Sequence, residues 1–158
     1  MSFQDKKFSE RVSEKFSVAQ RVTEEYLRNN NISFIRYGFD NHGMTYVQWI
    51  QVPEFVRNTP DLITIDDEFT FLEVKGCRDS VKIKICDYVQ YRKWGTLAKF
   101  TFSIYSTTKK RLHMVTIDEL EEVMMGATIG KYPDNNKEYF AIDVDDVKKY
   151  MVLNKRRS

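Results

Sequence analysis

The sequence predicts an α/β fold in which a mixed central β-sheet is flanked by helices. Three observations lead there: apolar residues at helical spacing over residues 7–29, a hairpin pattern over residues 58–76, and strand and helix signals that alternate from there to residue 153. With 158 residues, 42% of them hydrophobic and 14% aromatic, the chain is long and apolar enough to build a packed core. We expect one domain over residues 1–158, with a basic tail at 154–158.

In the first segment Phe8, Val12, Phe16, Ala19, Val22, Tyr26 and Leu27 recur near helical spacing, and Asn29-Asn30-Asn31 ends the pattern; a helix over 7–29 follows. Residues 32–39 and 44–52 are rich in β-branched and aromatic side chains, and the polar run Asp40-Asn41-His42-Gly43 reads as a turn between two strands. His42 has the chemistry of a proton carrier, although a turn histidine is ordinarily just solvated. The central hairpin is apolar on both faces, with Leu62, Leu72 and Val74 on one and Ile63, Ile65, Phe69 and Phe71 on the other, which suits a sheet covered on both sides. Beyond Gly76, Val81-Lys82-Ile83-Lys84-Ile85 alternates apolar and basic residues and is expected to be extended. Asp87-Tyr88-Val89-Gln90 has the spacing of a capping box and predicts a helix to Trp94, before Gly95. Residues 99–107 and 112–116 read as strands about a basic turn, Lys109-Lys110-Arg111, and residues 118–125 as a helix ended by Gly126. Residues 127–142 read as a hairpin around Asp134-Asn135-Asn136. The acids Asp143, Asp145 and Asp146 fit the first turn of a last helix running to 153, where they complement the helix dipole.

Charged residues stand at the open end of the central hairpin. With Asp66-Asp67-Glu68 as a three-residue loop, residues whose numbers sum to 134 face each other: Ile65 with Phe69, Ile63 with Phe71, Asp61 with Glu73. A loop of even length would put the two acids on opposite faces. Lys75 lies two residues beyond Glu73, on the same side. Two adjacent carboxylates repel and raise each other's pKa unless a cation compensates them. Hard oxygen ligands suit Mg²⁺ or Mn²⁺, which binds through one or two carboxylates plus water and phosphate. Such an ion acidifies its bound water and polarises a phosphoryl oxygen, while the lysine stabilises negative charge or helps position and deprotonate the water. Phosphodiester hydrolysis is the chemistry this set suggests.

At these residues the sequence resembles the PD-(D/E)XK nuclease superfamily: Pro60-Asp61 matches its PD element and Glu73-Val74-Lys75 its (D/E)XK element. The triplet also fits at Asp5-Lys6-Lys7 and Asp146-Val147-Lys148, but only residues 73–75 close a strand whose partner opens with Pro-Asp. The resemblance implies a restriction-endonuclease-like core, metal ligation by Asp61, Glu73 and the backbone carbonyl of Val74, and Lys75 as the catalytic lysine. Relatives place an acid on the first helix; the matching position here is Gln20, with Glu24 one turn on, so Gln20 is the candidate ligand and a two-metal arrangement loses its usual acid. Relatives also place Gln or Tyr on the helix after the lysine strand, which makes Gln90 a further catalytic candidate and Tyr91 a nucleic-acid contact. The implied activity is that of a Mg²⁺- or Mn²⁺-dependent endonuclease cutting DNA, with an RNA endonuclease or a non-catalytic nucleic-acid-binding module as alternatives. Small junction resolvases and phage endonucleases of this size act as dimers, and a homodimer is expected on that analogy.

Net charge is only +2, but it is segregated. Nine Lys or Arg against two acids give +7 over residues 76–111, and nine acids against two lysines give −7 over residues 117–146. The positive block is the expected phosphate-binding face, with Lys82 and Lys84 on one side of an extended segment and Lys109, Lys110 and Arg111 in a turn; a pair of ordinary solvated surfaces is the alternative. Tyr88, Tyr91 and Trp94 are placed either to stack on bases or to fill the core, and Lys155-Arg156-Arg157 adds non-specific phosphate affinity. No apolar run is long enough for a membrane-spanning helix, and residues 1–7 lack the apolar core of a signal peptide, so a cytoplasmic protein is expected. Cys77 and Cys86 are then reduced thiols, and two cysteines alone do not make a zinc site.

Overall fold

The computed structural model of the chain describes residues 8–39 and 43–147, with the side chains of the first helix from Val18 onward. His42, the basic tail and the last helix beyond residue 147 lie outside the described residues. Helix α1 (Phe8–Asn29) leads into strand β1 (Ser33–Arg36), and two short helices, α2 (Tyr46–Gln51) and α3 (Glu54–Arg57), precede the hairpin of β2 (Leu62–Ile65) and β3 (Phe69–Cys77). Then come β4 (Ser80–Lys84), α4 (Ile85–Gly95), β5 (Lys99–Ser106), β6 (Arg111–Thr116), α5 (Ile117–Met124), β7 (Thr128–Lys131), β8 (Glu138–Asp143) and the start of α6 (Val144–Val147).

The main sheet has the order β1-β2-β3-β5-β6 and is mixed: β3 and β5 run parallel, and the other pairs are antiparallel. Its hairpin register is the expected one, with Ile65 opposite Phe69, Ile63 opposite Phe71 and Leu62 opposite Leu72. Because strand side chains alternate, the two faces fill separate cores. On the back, Leu62, Leu72 and Val74 pack with Ala19 and Leu27 of α1. On the front, Ile63, Phe71, Phe100, Phe102 and Ile104 pack with Tyr91 and Trp94 of α4 and with Leu120 of α5. The long parallel connection from β3 to β5 is what places α4 over the front face.

Three features depart from the sequence reading. Residues 46–51 are helical, not a strand. Thr45 and Gln48 form a reciprocal capping box, in which Gln48 N–H donates to the Thr45 hydroxyl and Thr45 N–H to the Gln48 side chain. That cap outweighs the β-branched and aromatic composition, and α2 buries none of its residues. Helix α4 starts at Ile85, two residues before Asp87, and Lys84 caps it without a side-chain bond. Gln90 is therefore an interior helical residue with no capping role. Finally, β4 leaves the main sheet and joins β8 and β7 in a second, antiparallel sheet of order β4-β8-β7, whose Val81, Ile83 and Ile142 complete the front core. Among the described residues, no helix is long and apolar enough to cross a membrane.

Among the described residues, two polar contacts fix α1 to the sheet. The Thr23 and Ser103 hydroxyls lie 2.8 Å apart in the back core. The buried Glu24 carboxylate receives Arg36 Nε at 2.7 Å, Arg28 Nη2 at 3.0 Å and Gln20 Nε2 at 3.0 Å. The bond from Arg36, reinforced by Gln20 and Arg28, pulls the Glu24 carboxyl from its ordinary value of 4.5 down to about 2, against the opposing effect of burial. A depressed folded-state pKa gives stability that is complete above the unfolded value and lost as pH falls through the folded one. Glu24→Gln should therefore lower the denaturation midpoint at pH 7, and the gap to wild type should close between pH 4.5 and 2. A gap independent of pH in urea titrations would show that the carboxylate is not the source of the stability.

Candidate active site

The β2–β3 ladder ends at Leu62 and Leu72, and beyond it backbone pairing gives way to side-chain contacts. Asp61 Oδ2 accepts Val74 N–H at 2.7 Å, and the Asp61 carbonyl accepts Tyr37 N–H at 2.9 Å and Gly38 N–H at 3.1 Å. The backbone packs closely here: a Cβ on Gly38 would stand 3.4 Å from Asp61 Cα. Glu73 and Lys75 point to the front, beside Phe102 and Ile104, their partners on β5. Glu73 is buried, and its Oε1 accepts Lys75 Nζ at 2.7 Å and the Tyr91 hydroxyl at 2.8 Å; Lys75 Nζ also lies 3.0 Å from Tyr91 Oη. A quarter of the Lys75 side chain reaches solvent.

Electrostatics fixes the protonation of this group. Burial, the Glu73 charge and a hydrogen bond with Glu73 push the Asp61 carboxyl well above its ordinary range, against the pull of Lys75 and Val74 N–H. Burial alone would lower Lys75, but Glu73, Tyr91 and Asp61 hold its ammonium well above the ordinary lysine value. Burial and the Glu73 charge raise the Tyr91 phenol well above its usual value, so it stays a donor. Two carboxyls thus share a site with too little positive charge. A hard divalent cation fits that donor set, because it supplies the missing charge to oxygen ligands.

The other residues singled out in the sequence fall at varied distances from this centre. Tyr91 is only 3% exposed; it lies beneath Glu73 and Lys75 as a buried hydrogen-bond partner, not on a surface open to nucleic acid. Sequence spacing gave no sign of that role. Gln90, one residue before it, is 6% exposed, and its Oε1 accepts no hydrogen bond. Gln20 donates to Glu24, whose charge Arg36 and Arg28 neutralise, so neither residue brings a free carboxylate to the site. Lys82 and Lys84 lie on β4, outside the main sheet. Lys109 and Lys110 sit in the β5–β6 turn and Arg111 opens β6, at the Lys75 end of the sheet because Cys77 pairs with Ser106 and Ser106 with Arg111. Lys109 Nζ is held by Asp145 at 2.5 Å. A second group, Glu54, Cys86 and Asp87, brings three ligand atoms within 4.8 Å of one another where α3 meets α4.

The crowding has a measurable consequence. A carboxyl whose folded pKa is raised lowers stability as pH climbs through that pKa. Asp61→Asn keeps an oxygen for Val74 N–H and removes the repulsion, so without metal it should be more stable than wild type at pH 8. The difference should vanish at pH 4. Thermal melts in EDTA at the two pH values check this, and equal stability at pH 8 would contradict it.

No protein-family model matches the sequence, and no curated protein matches it. Solved structures do. Hjc, a Holliday junction resolvase from the archaeal hyperthermophile Archaeoglobus fulgidus, superposes with a TM-score of 0.53 at 12% identity, covering 85% of this chain and 88% of that one. A nuclease from a fusselovirus gives a TM-score of 0.49 at 11% identity, covering 89% of this chain and 86% of that one. With its mixed sheet between helices and the Pro-Asp and Glu-Val-Lys elements meeting at one end of the central hairpin, this chain has the fold of the PD-(D/E)XK nucleases.

Proposed function

We propose that the chain is a metal-dependent endonuclease that hydrolyses DNA phosphodiester bonds, with Asp61, Glu73 and Lys75 at its centre. The observation that carries this reading is the buried carboxyl pair at the mouth of the hairpin, with one ammonium on Glu73 and too little positive charge to balance both acids. Asp61, Glu73 and the Val74 carbonyl are the proposed ligands of one Mg²⁺ or Mn²⁺. When bound, that ion supplies Lewis-acid stabilisation of the phosphate and a more acidic water. Gln20 is the only further ligand we assign on α1, since Glu24 is already neutralised; this favours a single ion.

In this scheme Lys75, held as an ammonium by Glu73, Tyr91 and Asp61 in the metal-free protein, stabilises the developing charge or positions the attacking water. Tyr91 keeps Glu73 and Lys75 in place from below. The unpartnered Oε1 of Gln90 is the proposed contact to the attacking water. Lys82, Lys84, Lys110 and Arg111 are the proposed phosphate contacts, with Lys109 released from Asp145 to join them. A homodimer belongs to the same proposal: Ile35, Ile65 and Phe69 are exposed on neighbouring strands near the β1 edge.

The test is a substrate panel of plasmid, branched DNA and RNA, each with Mg²⁺, Mn²⁺ or EDTA. Branched DNA is included because Hjc is a Holliday junction resolvase. Cleavage of DNA with metal, abolished by EDTA and reduced at least about a hundred-fold in Glu73→Ala and Lys75→Ala while binding persists, is the expected result. Cleavage of RNA alone would reassign the substrate. Binding without any cleavage would leave a non-catalytic module, and cleavage unaffected by either substitution would remove these residues from the mechanism.

A further inference from the structure

The second sheet carries an aromatic and cationic face that the hydrolytic centre does not use. Its register sets Lys84 opposite Tyr139 and Tyr139 opposite Gly130, so the three share one side; Lys82, two residues along β4, lies on that side too. A Cβ at position 130 would stand 2.6 Å from Tyr139 Cζ and Oη, so only glycine lets the Tyr139 ring lie down on β7. Tyr132, just beyond β7, brings its ring centroid to 4.5 Å from that of Tyr139. Lys82 Nζ stands 4.6 Å from the centre of Tyr139 and 5.6 Å from that of Tyr132, and Lys84 Nζ stands 5.7 Å from Tyr132. Among the described residues neither lysine forms an ion pair, whereas Arg92, Lys99 and Lys109 all do. The face is near the centre, since β4 starts at Ser80, directly after β3, the strand that carries Glu73 and Lys75, ends at Cys77.

We propose that Tyr132, Tyr139, Lys82 and Lys84 form a binding site for an unpaired base and its flanking phosphates in a nucleic-acid strand. The position of this site next to the scissile bond rests on the nuclease reading above; its chemistry does not. Every base presents a π-face, so a tyrosine pair takes any base without reading its sequence. Both rings are half-buried and keep an edge in solvent, and an ammonium resting over such a ring is weakly held and exchanges readily for a phosphate oxygen. The two lysines then grip the backbone while a base takes their place on the rings. Paired bases in an intact duplex are stacked on one another and offer this face only phosphates. The site therefore favours strands with a loop, an overhang or a branch point.

Fluorescence anisotropy of the full chain in EDTA tests this with a labelled single strand, the same strand with abasic positions, and a blunt duplex. Wild type should bind the normal strand about ten-fold or more tightly than the abasic one, and Tyr132→Leu with Tyr139→Leu should lose a similar factor on the normal strand only. Tyr132→Phe with Tyr139→Phe should retain affinity, because the rings remain. Lys82→Gln with Lys84→Gln should weaken all three ligands and lower the salt dependence by about two phosphate contacts. Equal wild-type affinity for normal and abasic strands would overturn the proposal without any variant, as would equal losses on single strand and duplex in the leucine variant. Since no metal or cleavage enters these measurements, a failed stacking site and a failed hydrolytic centre give different results: the first leaves cleavage sensitive to Glu73→Ala, and the second leaves the abasic discrimination intact.

Discussion

The structure depends on the parity of one hairpin. Three loop residues, Asp66, Asp67 and Glu68, make odd-numbered positions of β2 and β3 face forward together. Ile63 and Phe71 then lie in the front core, and Glu73 and Lys75 follow on the same face, where α4 meets the sheet. Burying those charges is unfavourable without compensation. Glu73 is compensated by Lys75 and the Tyr91 hydroxyl, whereas Asp61 has the Val74 N–H, which does not balance its charge. Removing or adding one loop residue would send the charges into the α1 core instead, where Ala19 and Leu27 offer no partner.

The even-numbered positions have a complementary task. Val74, fully buried, presses on α1, and Ser103 beside it on β5 meets the Thr23 hydroxyl. Glu24 ties the same helix to Arg36 on β1, next to the backbone segment that bonds the Asp61 carbonyl. The strand carrying Glu73 and Lys75 is thus clamped from behind by packing and from the front by α4. Side chains held by such a second layer keep the geometry that charge-stabilising chemistry needs. Tyr91 belongs to that layer even though it touches both charged groups.

The parts of this arrangement legible in the sequence were those set by period and parity. The hairpin register, the alternation in β5 and the stripe of α1 follow from where apolar residues recur, and the structure agrees with the first two and, among the described side chains, with the Ala19, Tyr26 and Leu27 part of the third. Misreadings arose where a local cap competes with composition. Thr45-Tyr46-Val47-Gln48 carries the same four-residue signature as Asp87-Tyr88-Val89-Gln90, yet the first starts a helix and the second lies inside one. The difference is tertiary: α4 runs back to Ile85 because β4 ends at Lys84, and no spacing of polar residues encodes that. The burial of Tyr91 was equally hidden, since an aromatic residue in a basic segment reads the same on a surface as in a core. The second sheet escaped notice because β4 and β8 are far apart in the chain, with α4, β5, β6, α5 and β7 between them, and no local pattern encodes so distant a pairing.

Charge shows most clearly how folding rewrites a sequence-level argument. A +7 block followed by a −7 block suggests two opposed surfaces, but the fold joins the blocks at two points and ties a third cation to the hairpin loop. Arg92 pairs with Asp118 and Glu121, Lys109 with Asp145, and Lys99 with Glu68 of the hairpin loop. Three of the nine cations in the positive block are thus engaged within the protein, and exposed pairs of this kind add little to stability. What can face a phosphate is the remainder, and Lys82 and Lys84 stand out in it because their ammonium groups rest on tyrosine rings and not on carboxylates. A cation held by a ring keeps its charge available to a stronger anion, whereas one held by a carboxylate must first give that partner up. The electrostatic character that matters for a phosphate is therefore set by where the fold leaves a cation on a ring and not on an acid, and Lys82 and Lys84 meet that condition on β4, the strand that follows the one carrying Glu73 and Lys75.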